Sequence, residues 1–409
     1  MAGDDLWSLL QVERKAGWDK LRAAGPVVEK GGVYYLTRRD DVLAALHNTE
    51  VFSSALRPHH PASDVVGLPM VPIMVDPPDH SRLRKLLQSL FTSRAVDELL
   101  PTLTRQAAAL VDAVAADGGC DAMAAVAVPF AAQVVLTLLG LPVEDRDRLI
   151  RWKDTIATST PDCEPYRTAA VELGDYLAGA ISQRRHDPML PGLLARLPAG
   201  LSDVEAAGAF FLMAGGGAVE PVAAAIGFAL LALAADEQLQ AVLRADPGQV
   251  GVFVDEIFRL EALHTYRVTT ADVTIGGVMI PAGSTVQICL GAANREYGDE
   301  ITVVDGRIVR RRHWGFGSGI HRCLGAHLAR MEVELILTQW LARIPTFGLA
   351  PGYSAAIGDA VFRAVNFSAT AMFTLPALLL RWTPSASRRP SLADAGAAAF
   401  ERYRARRAG

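Results

Sequence analysis

Hydrophobic positions along this chain fall into a helical period over most of its length and a strand-like one in short runs. From Ala95 to Arg185 the apolar residues, mostly Ala, Leu and Val, predict a series of helices that pack as walls. Ser202-Asp-Val-Glu205 then reads as a capping box, because a serine and a glutamate three apart satisfy each other's backbone N–H groups. The next run, to about Ala235, is apolar on every face and predicts a buried central helix. Its middle, Ala214-Gly-Gly-Gly-Ala-Val-Glu-Pro221, breaks the pattern, since glycine and proline are the poorest helix formers. Pro221 has no N–H for the carbonyl of Gly217. A buried helix weakened at its centre is expected to let something approach its backbone.

Strand-like runs are shorter. Gly32 to Thr37, Val273 to Gly283 and Thr285 to Leu290 read as strands, and Ile301 to Val309 as a hairpin on Asp305-Gly306. Arg39 to Leu46 reads as a helix, and Phe367 to Trp382 as core strands or a hairpin. Residues 56–73 carry several prolines and read as a loop, and a loop of that length is commonly a lid or binding segment. Within it His59 and His60 are read as an exposed pair in preference to metal ligands. The fold class is therefore mainly α with a smaller β-rich region. Residues 1–384 form one domain, and residues 385–409 form a Ser-, Ala- and Arg-rich tail expected to be loosely held.

Composition narrows the picture. The chain has 409 residues, a net charge of −4 and 51% hydrophobic residues, which suits a large core and gives no basic excess for nucleic acid. The start lacks the basic and apolar regions of a signal peptide, and the apolar run at 367–382 is short of a bilayer span. A cytoplasmic protein without a membrane anchor is expected, and interfacial contact through that run is the less favoured reading. Cys120, Cys163, Cys289 and Cys323 show neither a CxxC pair nor zinc spacing. Cys289 lies in an apolar strand and reads as inert core, and Cys120 and Cys163 sit in loop-like surroundings with no role assigned.

Cys323 is different. Trp314-Gly-Phe-Gly-Ser-Gly-Ile-His-Arg-Cys323 is a glycine-rich loop that presents one thiol and leads into a helix marked by Leu324, Leu328, Met331 and Leu335. Gly315, Gly317 and Gly319 are expected to supply positive φ or close backbone approach. A thiolate at a helix N-terminus is favoured by the dipole and free N–H groups. Upstream, Asp76 to Lys85 reads as a helix opened by Pro77 and Pro78, with His80 and Arg84 on one face. Taken alone, that face is a solvated basic one. Glu256 and Arg259 sit three apart on another helix, a spacing common on surfaces.

The order of these features resembles the cytochrome P450 family over roughly residues 30–382. Phe316-Gly-x-Gly-x-His-x-Cys-x-Gly325 is similar to its haem-binding signature. Glu256-x-x-Arg259 resembles its structural acid–base pair, and Pro77 to Arg84 its haem-facing helix. Gly277 to Gly283 and Ala293 to Arg295 match in order. The resemblance implies a soluble bacterial-type member with the cytochrome P450 fold and haem b, Cys323 being the axial thiolate. It implies that His80, Arg84, Arg267 and His321 hold the propionates, with Phe316, Gly317 and Gly325 shaping the ligand loop. One of Arg310, Arg311 and Arg312 is then the third member of the Glu256–Arg259 pair. A monooxygenase acting on an apolar small molecule in secondary metabolism is implied as well, with a ferredoxin-type electron donor. A substrate borne on a carrier protein stays within that reading.

Two departures stand out. The family's central helix usually reads Ala-Gly-x-acid-Thr, the acid and alcohol relaying protons. Here Ala214 and Gly215 match, but Gly217 and Ala218 occupy the acid and alcohol positions, and Glu220 lies beyond them. The favoured expectation is oxygen activation with protons from the substrate or from water on the Gly217 carbonyl. Non-hydroxylating chemistry (oxidative coupling, peroxide-driven oxidation or rearrangement) is the alternative, and a non-catalytic accessory protein is the least favoured. The second departure is the Asp305-Gly306 hairpin with Arg310-Arg-Arg312 in place of a proline- and phenylalanine-containing meander, and it leads to an expected change in redox-partner preference. The substrate pocket is expected to draw on residues 56–72, Phe210 to Gly217, Ala262 to Thr265 and Ser368 to Met372, with His264 as a polar contact.

Overall fold

The apolar stretch after Ser202 becomes the spine of the molecule. The computed structural model describes residues 14–55, 61–185, 187, 189–262, 264–353, 363–367 and 370–384. Helix Asp203–Leu212 starts on the expected capping box: Ser202 Oγ accepts from Glu205 N, and the Glu205 carboxylate accepts from Ser202 N. A π-turn, Met213–Gly217, comes next, and helix Val219–Ala235 completes the spine. Helices Val128–Leu139, Val250–Leu260 and Ala326–Arg343 pack against that second half. The stretch 203–235 is long and apolar enough to cross a membrane, but 67% of its most apolar window is buried inside the fold. Its hydrophobicity is that of a mostly buried core helix.

The β-rich region lies to one side. Its main sheet runs Val27–Lys30, Val33–Leu36, Thr285–Ile288, His264–Thr269, Thr370–Thr374, Arg363–Phe367, with Phe52–Ser53 also pairing with His264–Thr269. Val33–Leu36 and Thr285–Ile288 pair in parallel, and the other pairs are antiparallel. The hairpin Val303–Val304 with Arg307–Ile308 turns on Asp305 (φ 50°) and Gly306 (φ 72°), both central residues having the positive φ of the predicted turn. Leu379–Trp382 joins a second sheet, between Phe347–Leu349 and Gly119–Asp121. Within the run 367–382, Thr370–Thr374 and Leu379–Trp382 are thus strands.

Three expectations need correction. The predicted loop 56–73 contains a helix, Pro61–Val66, which starts at a proline and stops where Gly67 N returns to Ser63 O. Pro77 and Pro78 stand just before helix Asp79–Gln88 and not inside its first turn. Cys120 lies on strand Gly119–Asp121 and not in a loop. His59 and His60, Ser368, and the tail 385–409 fall outside the described residues.

Candidate active site: a cysteine loop facing an apolar cavity

The cysteine loop is held from both ends. Cys323 N donates to Phe316 O at 2.9 Å, and helix Ala326–Arg343 begins three residues after the thiol. Gly317 and Gly319 take the expected positive φ, 72° and 66°. Gly315 does not. It is needed for close approach, because a Cβ there would stand 2.1 Å from the Phe258 carbonyl oxygen. Phe316 is boxed by the Phe258 ring, 4.5 Å between centroids, and by the Arg330 guanidinium, 4.3 Å from the ring centre.

Cys323 is the exposed cysteine of the four, yet its surface opens into a cavity of about 350 Å³ and not onto the outside of the protein. Burial pushes its thiol up, against a backbone hydrogen bond with Gly325 and the charges of Arg84, Arg322 and Arg330. A thiol in that state gives up its proton when a metal takes the sulfur. By contrast Cys289 is sealed in the core, and burial alone pushes its thiol up.

The donors around the cavity fit a flat dianionic ligand. Arg84, Arg267 and His321 line it, and His80 stacks on His321 at 4.2 Å. Both ring nitrogens of His80 are buried without a hydrogen-bond partner among the described residues. Arg267 is buried, spends Nη1 on Thr265 Oγ1 and the Tyr266 carbonyl, and is pushed down to about 10 by burial despite the nearby Asp76. Burial lowers Arg84 too. Neither arginine has a carboxylate within hydrogen-bonding distance among the described residues. Such cations are costly unless an anion arrives. Arg84 thus lines the cavity and His80 is buried behind it against His321, so the pair is not a solvated face.

Much of the cavity lining is apolar, including Val71, Ile73, Phe210, Phe211, Leu212 and Met213. Gly215, Gly217, Ala218 and Pro221 of the weakened helix also line it, whereas Ala214 and Glu220 do not. The π-turn explains the difference. Ala218 N bonds Met213 O, five residues back, and Gly216 sits at φ 154°, outside helical backbone. The extra residue rotates the rest of the helix about its axis. Glu220 is buried and turned to Lys153, whose Nζ lies 2.6 Å from Oε2. It is therefore not a free acid facing the cavity. Lys153 Nζ also binds Asp154, which reaches solvent. Among the predicted pocket segments, Ala262, His264 and Thr265 line the cavity, and burial beside Arg295 lowers His264 to about 3, so its ring is neutral. The side chains of residues 370–372 are outside the described set.

Beneath the loop, Glu256 and Arg259 form a fully buried pair at 2.7 Å, and not a surface one. Arg311 is the third member, its N and Nη1 reaching the Glu256 carboxylate. Arg310 instead binds Asp255, and Arg312 lies over the Trp314 ring. The basic cluster is split between structural roles and is not one exposed patch.

Sequence reasoning missed Glu332. It lies on helix Ala326–Arg343, lines the cavity, and burial pushes its carboxyl well above the usual range. An acid raised on folding costs stability as pH climbs above its unfolded value of about 4.3. Glu332→Gln is therefore expected to match the wild type in thermal unfolding at pH 4 and to exceed it increasingly from pH 5 to 8. A constant difference across that range would refute the assignment.

Comparison with known proteins agrees with this geometry. The sequence profile described as Cytochrome P450 matches residues 305–344, the cysteine loop and its flanks. The Vitamin D(3) 25-hydroxylase of Pseudonocardia autotrophica is 34% identical, covering 81% of this chain and 86% of its own. The Nocardicin C N-oxygenase of Nocardia uniformis subsp. tsuyamanensis is 32% identical, covering 82% and 89%. The crystal structure of P450BioI with an acyl carrier protein ligated to hexadec-9Z-enoic acid superimposes with a TM-score of 0.79 at 26% identity, over 92% of this chain and 100% of that one. The haem-ligand loop, the donors around it and this likeness along nearly the whole chain have one common reading: the protein belongs to the cytochrome P450 family, as a haem-thiolate oxidoreductase of bacterial type.

Proposed function

We propose that the protein oxidises an apolar small molecule of secondary metabolism, taking electrons from a ferredoxin-type donor. The observation that carries this reading is the apolar lining of the cavity that Cys323 shares. Haem bound to the Cys323 thiolate supplies an electron-rich iron that favours O–O cleavage. The chain's own residues do the rest. Phe210, Phe211 and Met213 exclude water and hold the substrate by its apolar surface. His80, Arg84, Arg267 and His321 hold the propionates. A relative solved with a carrier-bound acyl chain supports tethered as well as free substrates for such a cavity. Titrating the holoenzyme with apolar natural products is expected to shift the Soret band and, with ferredoxin and its reductase, to yield oxidised product. Response only to polar compounds would overturn the reading.

Protons are assigned to Glu220 and not to an acid–alcohol pair at Gly217 and Ala218. Glu220 precedes Pro221, which lines the cavity, and its carboxylate is turned to Lys153, which with Asp154 links it to solvent. The Gly217 carbonyl, with no N–H from Pro221, is an acceptor for a water between them. Lys153 holds the carboxylate in place and gives it a proton that solvent beside Asp154 restores, and Glu220 passes that proton to the water. Glu220→Gln is expected to lower product formed per reduced cofactor and to slow turnover roughly a hundredfold, the usual scale for losing a positioned acid. A solvent isotope effect on kcat should rise with it. If coupling and isotope effect stay at wild-type values, the protons come from the substrate or another path.

A further inference from the structure

Helix Val250–Leu260 carries two acid-centred networks, and only one is built on Glu256. We propose that Asp255 is a positioning residue for the haem ligand: it clamps Arg330 and His313 about Phe316, and Phe316 fixes the backbone of Cys323. The inference rests on Cys323 being the thiolate ligand. Asp255 Oδ1 accepts from Arg330 Nε at 2.6 Å and stands 3.5 Å from His313 Nε2, while Oδ2 accepts from Arg310 Nη2 at 3.0 Å. His313 lies before the ligand loop and Arg330 after it, so one carboxylate spans both ends. Arg330 lies over one side of the Phe316 ring, the His313 ring centre is 6.2 Å away, and Phe258 packs at 4.5 Å. The Phe316 carbonyl in turn accepts the Cys323 N–H.

The hydrogen bonds agree on one histidine state. His313 Nδ1 accepts from Gly315 N at 3.1 Å, so its proton sits on Nε2, facing Asp255. The carboxylate stays charged: burial works against it, but His313 and Arg330 hold it down at about 2. A neutral group of the same shape would fill the space without orienting both partners. Burying a charge is costly unless its partners are well placed. The arrangement is thus suited to fixing loop geometry more than to adding stability. Arg310 supplies an internal control, because its side chain is 72% exposed and pairs with the other oxygen of Asp255.

The test compares wild-type, Asp255→Asn, Arg330→Gln, Arg310→Ala and doubly substituted Asp255→Asn/Arg330→Gln holoenzymes. The readouts are the reduced carbon monoxide spectrum, the rate at which its red-shifted band is lost in mild denaturant, and the thermal unfolding midpoint. Asp255→Asn and Arg330→Gln are expected to lose the band about tenfold faster than wild type, a difference typical of charge-assisted bonds. The double variant should be no faster than the faster single one, since the two residues act as a unit. Arg310→Ala should behave as wild type. Band loss in Asp255→Asn equal to that in Arg310→Ala, or only in proportion to global unfolding, overturns the proposal. If Asp255→Asn fails to fold, Arg330→Gln decides it alone, because it leaves the carboxylate with two partners. A wild type with no red-shifted band would instead overturn the thiolate assignment.

Discussion

Cys323→Ser is expected to remove the red-shifted band of the reduced carbon monoxide complex and to lower substrate oxidation by at least about a thousandfold, ~4 kcal/mol of barrier. The reason is electronic. A thiolate pushes electron density to the iron, and an alcohol at the same position does not. Its proton would also be far harder to remove than that of a thiol. The fold should survive, because Cys323 faces the cavity and contributes little to packing around it. The backbone bond from its N–H to the Phe316 carbonyl is kept in the variant. Unfolding of the haem-free forms should therefore differ by less than about 1 kcal/mol, as for a near-isosteric change away from the core. Haem content, the carbonyl spectrum and product formation are measured together. A serine variant that keeps the red-shifted band would place the ligand elsewhere.

Much of this site was legible because its chemistry is local in sequence. The cysteine loop, its glycines and its helix lie within a single stretch, and the donors at His80 and Arg84 are one helical turn apart. The hidden part depends on which face of a helix is buried. On helix Arg146–Thr158, Leu149, Trp152, Lys153 and Ile156 form the buried stripe, so a lysine occupies a core position. Glu332 does the same between Leu328, Met331 and Leu335. A charge inside an apolar stripe is a readable signal, but its partner is not readable: Glu220 lies 67 residues from Lys153. The register of the central helix failed for a different reason. A π-turn adds a residue without any change in composition, so Glu220 and Pro221 are displaced from where even spacing puts them.

Arg259→Met is expected to be the most damaging single change for assembly, costing about 3–5 kcal/mol and leaving little haem-loaded protein. That is a large share of the roughly 5–15 kcal/mol that holds a domain folded. Arg259 is fully buried and makes five hydrogen bonds to four acceptors. Nε and Nη2 meet Glu256 Oε2 at 2.9 and 2.7 Å, and the remaining bonds go to the carbonyls of Asn294, Gly298 and Glu300. Asn294 then returns to the Arg259 carbonyl and accepts from Trp314 N, the first residue of the ligand loop. The arginine thus ties the helix to the chain that delivers Cys323. Removing it takes a donor from the Asn294 and Gly298 carbonyls, and leaves the Glu300 carbonyl and the buried Glu256 carboxylate to Arg311 alone. The stranded charge can be separated from the lost carbonyl bonds. Glu256→Gln/Arg259→Met should recover part of the thermal midpoint lost in Arg259→Met, because no uncompensated carboxylate remains. It should not recover haem loading, which depends on the bonds to residues 294–300. Equal midpoints for the single and double variants would mean that the pair matters for its geometry alone, and not for the charge it neutralises.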